Sequence, residues 1–172
     1  MARFTFLTMA LLVLLAPVWS IRKVDWGVSR EKIAVIEGSE PAKTEGRALI
    51  YQDQLFGFDT QVSYYLQNEM LFGIYYQVPV RKVDRNAYEA ELLGQLKKKY
   101  QGYTYQYGIH RFKTNEQEIH LLVETRDSNV YFHLLYTKQP LLQVSSPLVG
   151  PFRNQLKKQI EYYKRLDIKD KI

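Results

Sequence analysis

Three histidines and no cysteine make up the chain's near-neutral acid–base chemistry: His110, His120 and His133. Only these side chains change charge near pH 7 without a large perturbation. Two of them fall in segments with alternating apolar residues. Ile119, Leu121 and Val123 alternate before Asp127-Ser128, and Val130, Phe132, Leu134 and Tyr136 alternate after it. A two-residue turn there would put His120 and His133 on one face as diagonal neighbours, ~7–8 Å apart at the backbone. With Glu124 beside them, two imidazoles and a carboxylate could hold a metal or serve a small hydrolase. A one-residue slip in register would separate them, and ordinary half-buried histidines account for the same pattern. No GxSxG, HExxH, GxxxxGK[ST] or GxGxxG motif accompanies them. No catalytic residue, metal set or cofactor is therefore assigned.

Tyrosine is the other candidate, with fourteen in the chain. Tyr103, Tyr105 and Tyr107 alternate, so one strand would point all three to one face. Together with Tyr131, His120 and His133 they are the candidate partner-binding residues. An exposed row of rings could stack on sugars or receive a protein. Rings packed beneath helices are the competing interpretation, since tyrosine favours half-buried pleated surfaces.

These residues need elements to position them. Ser29 caps a short helix over about 29–37, which Gly38 stops. Strands are expected at 47–53, 59–67 and 70–80, with Asn68-Glu69 as the reversal. Asn86 with Glu89 resembles a capping box opening a helix to about 101. Tyr88, Leu92, Leu96 and Tyr100 form its apolar stripe, and Lys97, Lys98 and Lys99 suit its last turn. Strands at 103–109, 117–126 and 129–138 follow, then a helix over about 150–167.

Helix plus three strands thus occurs twice, over about 26–80 and 86–138. Ser29 aligns with Asn86, Ile50 with Tyr107 and Val62 with Ile119, an offset of 57; beyond the second hairpin it becomes 60, matching Tyr76 with Tyr136. The expected fold class is α+β: one domain with an antiparallel sheet from two such repeats, helices packed on one face, and a C-terminal helix. The opposite face of the second hairpin would carry His120, Leu122, Glu124, Tyr131, His133 and Leu135. It is only half polar, which implies a further covering element or a partner.

The segment Trp26-Gly27-Val28-Ser29-Arg30-Glu31-Lys32-Ile33, closing with Gly38-Ser39-Glu40-Pro41, resembles a known envelope motif. It is similar to the Gly-Met-Ser/Thr opening, amphipathic turn and closing Gly-x-Pro of SmpA/OmlA domains. That superfamily includes the assembly lipoprotein BamE and, in tandem, β-lactamase-inhibitor-protein-like domains. Val28 replaces the usual Met, the closing loop has one extra residue, and the second repeat lacks the opening. The resemblance implies a fold and an envelope setting, and carries over no site residue.

The amino end points the same way. Arg3 precedes an apolar run from Phe4 to Trp19, with Val18 and Ser20 small enough for signal-peptidase sites. At sixteen residues the run is shorter than the ~20 that span a bilayer. Residues 1–20 are expected to be a cleaved signal, leaving 21–172 periplasmic or secreted. Removing them takes away only Arg3, leaving 23 basic against 18 acidic residues and a charge of +5. That mild excess gives no footprint for nucleic acid. The C-terminal helix places Arg153, Lys157 and Lys164 opposite Phe152, Leu156, Ile160 and Tyr163. It would lie on an anionic membrane or, with Glu161 interspersed, cover the sheet. The expectation is a non-enzymatic envelope protein recognising a protein or glycan partner through an exposed sheet face, with a peripheral membrane role as the rival.

Overall fold

The computed structural model describes residues 25–138 and 150–169. The expected signal segment, 1–20, lies outside the described residues. α1 (Arg30–Glu37) opens the first unit as expected. The Ser29 hydroxyl accepts a 3.4 Å hydrogen bond from the Lys32 amide, and Gly38 closes the helix in the left-handed conformation at φ 67°. β1 (Lys43–Glu45), β2 (Ala48–Leu55), β3 (Phe58–Gln67) and β4 (Met70–Arg81) follow. A 3-10 turn, Lys82–Asp84, leads into α2 (Arg85–Lys99), and then come β5 (Thr104–Gln106), β6 (Ile109–Lys113), β7 (Glu118–Arg126) and β8 (Asn129–Thr137). α3 (Gly150–Lys169) closes the chain.

Each unit therefore has four strands, not three. The strand expected over 103–109 is a hairpin that reverses at Tyr107-Gly108, both at positive φ (51° and 75°). That dihedral pair is the type I′ pattern, which matches the twist of the flanking strands. The capping expectation also changes. Asp84, not Asn86, occupies the N-cap of α2, without a side-chain cap bond, because the 3-10 turn feeds directly into the helix.

The eight strands of the described residues pair antiparallel in the order β1-β2-β3-β4-β8-β7-β6-β5. The two units meet at β4 and β8 in reciprocal register: Ile74 opposes Tyr136 and Tyr76 opposes Leu134. Tyr76 and Tyr136, equivalent at an offset of 60, touch edge to face at 5.9 Å. The offset of 57 holds between β3 and β7: Val62 opposes Tyr76 as Ile119 opposes Tyr136, and both lie in the first-face core. It fails for Ile50, which lies in β2 while Tyr107 lies in the turn between β5 and β6.

α1 and α2 cover one face, here the first. Tyr88, Leu92 and Leu96 of α2 are buried on β4 and β8, and the Tyr88 ring lies 4.7 Å from that of Phe132. Each such aliphatic side chain contributes ~1.5–3 kcal/mol through burial. α3 departs from the one-face expectation. Its Leu156 packs with Ile109, Leu122 and Leu135 on the opposite, second face, with Ile160 alongside. The reason is the apolar patch of Ile109, Leu122 and Leu135 on the second face of β6, β7 and β8, which needs cover of its own. With Leu156 buried there, that part of the stripe is turned to the sheet instead of to a membrane; the Phe152 side chain lies outside the described residues. Among the described residues no helix is long and apolar enough to cross a membrane.

Candidate functional site

The β7–β8 hairpin has the expected register. Leu122 opposes His133 and His120 opposes Leu135, so both histidines stand on the second face as diagonal neighbours. Their surroundings differ. His133 is fully buried (0 % exposed). Its Nδ1 lies 2.6 Å from the Tyr75 hydroxyl and its Nε2 3.2 Å from Glu124 Oε2. The phenol donates to Nδ1 and the Nε2–H donates to the carboxylate, which fixes one neutral tautomer. Burial pushes the His133 pKa down, against the opposing pull of Glu124. Arg126 pairs with the same Glu124 oxygen at 2.7 Å. Burial raises the Glu124 carboxyl, but the Arg126 and His133 hydrogen bonds and charges outweigh it and leave it lowered. Tyr131 flanks the cluster, its ring 6.3 Å from His133 and 5.3 Å from the Arg126 guanidinium. Tyr75, His133, Glu124 and Arg126 thus satisfy one another.

His120 belongs to a different place. Between α3 and the second face lies an open cleft of about 460 Å³ whose lining includes His120 but neither His133 nor Glu124. Its floor is polar and deeply buried: Glu118 is 4 % exposed and His120 6 %. Arg111 of β6 opposes His120 across the ladder and forms an ion pair with Glu118. The second Glu118 oxygen is 3.9 Å from His120 Nε2, beyond hydrogen-bond range. His120 Nδ1 is buried without a hydrogen-bond partner. Burial takes the His120 pKa down to about 4, against the opposing charge of Glu118, so the ring is neutral at physiological pH. Ile109, Leu156 and Ile160 form apolar walls, while Thr104 and Gln106 of β5 stand at the mouth. An unsatisfied buried nitrogen is costly, ~1–3 kcal/mol, a cost the fold carries at this position.

The proposed triad of His120, His133 and Glu124 is therefore not one site. Among the described residues no group of three or more His, Cys, Asp or Glu is placed to hold a metal. The tyrosine row also divides. Tyr103 and Tyr105 lie on the first face, 37 % and 57 % exposed, with ring centroids 6.0 and 4.5 Å from that of His110. Tyr103 donates to His110 Nδ1 at 3.0 Å and carries Lys97 Nζ 4.4 Å over its ring. Tyr107, in the turn, lines the cleft on the other face. Arg111 and Glu118 were not legible as partners in the sequence, since their meeting requires the β6–β7 register. Glu118, His120, Leu122 and Glu124 do alternate, and that pattern could have placed Glu118 beside His120.

No family model, curated protein or solved structure matches this chain.

Proposed function

We propose that the chain is an exported, non-catalytic envelope protein that recognises its partner in the cleft between α3 and the second sheet face. The observation that carries this reading is the Arg111–Glu118 pair with His120 beside it, at the floor of an open cavity with apolar walls. Apolar walls converging on a few buried polar groups are the usual make-up of a small-ligand site, and ~460 Å³ falls within the ~300–1,000 Å³ such sites span. A concave site favours a small molecule or a glycan segment over a flat protein interface, which needs ~800 Å² per partner. Recognition rather than turnover suits His120, whose pKa of about 4 makes it a weak base near pH 7. The envelope setting rests on the leader-like residues 1–20 and on the resemblance of the Trp26–Pro41 segment to SmpA/OmlA domains.

Site-specific photo-crosslinking tests this in the native host. A photoreactive residue at Thr104, at the cleft mouth, is expected to capture a discrete adduct resolved by mass spectrometry. The same probe at Val83, 83 % exposed in the 3-10 turn, is not. Capture at Val83 alone, or equal capture at both positions, refutes the cleft as the recognition site.

A further inference from the structure

We propose that the cleft binds an uncharged saccharide, whose hydroxyls meet Arg111, Glu118 and His120 while its C–H faces rest on Ile109, Leu156 and Ile160. This rests on the cleft being the binding site and names its ligand class.

Charge comes first. Arg111 and Glu118 neutralise each other in an ion pair, so the floor carries no net charge while His120 is neutral. An anionic ligand would meet the Glu118 carboxylate, and a cationic one would meet the Arg111 guanidinium. Lys164 lines the cleft from α3 with an exposed side chain, so the excess positive charge sits at the solvent side and not on the floor. The floor itself favours neither sign of ligand charge.

Hydrogen-bonding capacity narrows the class further. Arg111 has five N–H donors, of which the Glu118 bond uses one. Glu118 Oε2 and His120 Nε2, 3.9 Å apart, leave each other's hydrogen-bonding positions unfilled. The floor therefore offers both donors and acceptors within one row of the sheet, because Thr104, Arg111 and His120 are successive cross-strand partners. An apolar ligand would leave these groups unsatisfied, a loss that selects strongly against it. Hydroxyls donate and accept, so a polyol meets the floor with either polarity. The walls demand the opposite character. Ile109 and Leu156 are buried, Ile160 is half-buried, and none offers a side-chain polar atom. A pyranose presents both surfaces in one rigid body: a ring of hydroxyls at its edge and apolar C–H groups on its faces. The half-buried Tyr107 beside the mouth adds a ring on which such a face can lie.

The test is titration of the purified full-length chain by isothermal calorimetry, with a panel of three probe classes. Glucose, galactose, maltose and cellobiose represent neutral sugars; glucuronate and N-acetylneuraminate are the charged counterparts; hexanol is the apolar comparison. The expected result is heat from at least one neutral sugar and none from the others. His120→Phe should weaken that binding about tenfold, the equivalent of one hydrogen bond. Gln106→Ala should weaken it as well, and because Gln106 is exposed on a three-residue edge strand this variant decides the matter should His120→Phe misfold. Binding confined to the charged sugars or to hexanol overturns the saccharide assignment while leaving the cleft as a site. Sugar binding that neither variant alters also overturns it, because the sugar then lies elsewhere. Silence from all probes with capture at Thr104 overturns the ligand class alone; silence with no capture removes the cleft itself.

Discussion

Gly108 is where α3 meets the sheet edge, and replacing it with alanine separates two costs. The residue sits at φ 75°, and a Cβ added there would lie 2.4 Å from Tyr163 Cε2 and 2.8 Å from Gln159 Nε2, both on α3. Gly38 is the comparison: φ 67°, left-handed, with nothing within 4 Å of its added Cβ. Gly38→Ala should therefore cost only the left-handed strain, ~1 kcal/mol. Gly108→Ala should cost that plus the overpacking of Tyr163, a further ~1–3 kcal/mol. Urea unfolding of both variants measures the difference, and amide exchange locates it. α3 amides should lose protection in Gly108→Ala while those of α2 fall only with global stability. The same variant should weaken any cleft ligand, because α3 supplies Leu156 and Ile160 to the walls. Equal costs for the two substitutions, with α3 protection unchanged, would refute the docking of α3 through this contact.

Acid should destabilise the fold through its histidines. Burial lowers the folded pKa of His110, His120 and His133 below 6.5, so the unfolded chain binds more protons as pH falls. Their contribution is whole above pH 6.5 and drains on the way down to the folded value, about 4 for His120. Over that window His120 supplies up to ~1.4 kcal/mol per pH unit. Denaturant midpoints measured from pH 7.5 to 4.5 should fall, and fall less steeply in His120→Phe; a flat profile or an identical slope counts against the burial argument. Tyr75→Phe should cost ~1–3 kcal/mol by leaving His133 Nδ1 without its phenol donor. Nitrogen-15 shifts of the His133 ring should report the Nε2–H tautomer in the parent and move in the variant, and unchanged shifts with unchanged stability would refute the assigned hydrogen bond.

What the sequence revealed followed from periodicity and capping. Ile119, Leu121 and Val123 against Val130, Phe132 and Leu134 set the β7–β8 register, because slipping it by one would turn His133 into the first-face core. Ser29 and Gly38 bounded α1, and Tyr88, Leu92 and Leu96 marked the buried side of α2. The β5–β6 hairpin was hidden because Thr104–Gln106 is too short to show a period and its turn carries Tyr-Gly, not Asn-Gly. The face chosen by α3 was hidden too. An amphipathic helix states that one side is buried, not which side of a sheet receives it. The cleft depends on both, so Arg111 and Glu118 could not be paired by spacing alone.

The β4–β8 seam has a consequence for how the chain can be cut. Within its own unit each of these is an outermost strand, twelve residues long in β4 and nine in β8. A fragment ending near Asp84 would bare a long ladder of amide and carbonyl groups that lacks a donor at Pro79, and one beginning near Arg85 would bare that of β8. Because the reciprocal register would let β4 dock against another β4 much as it docks against β8, severed halves would clasp each other or their own copies. The polypeptide amounts to a symmetric pair tied into one thread, and neither half is a self-contained module.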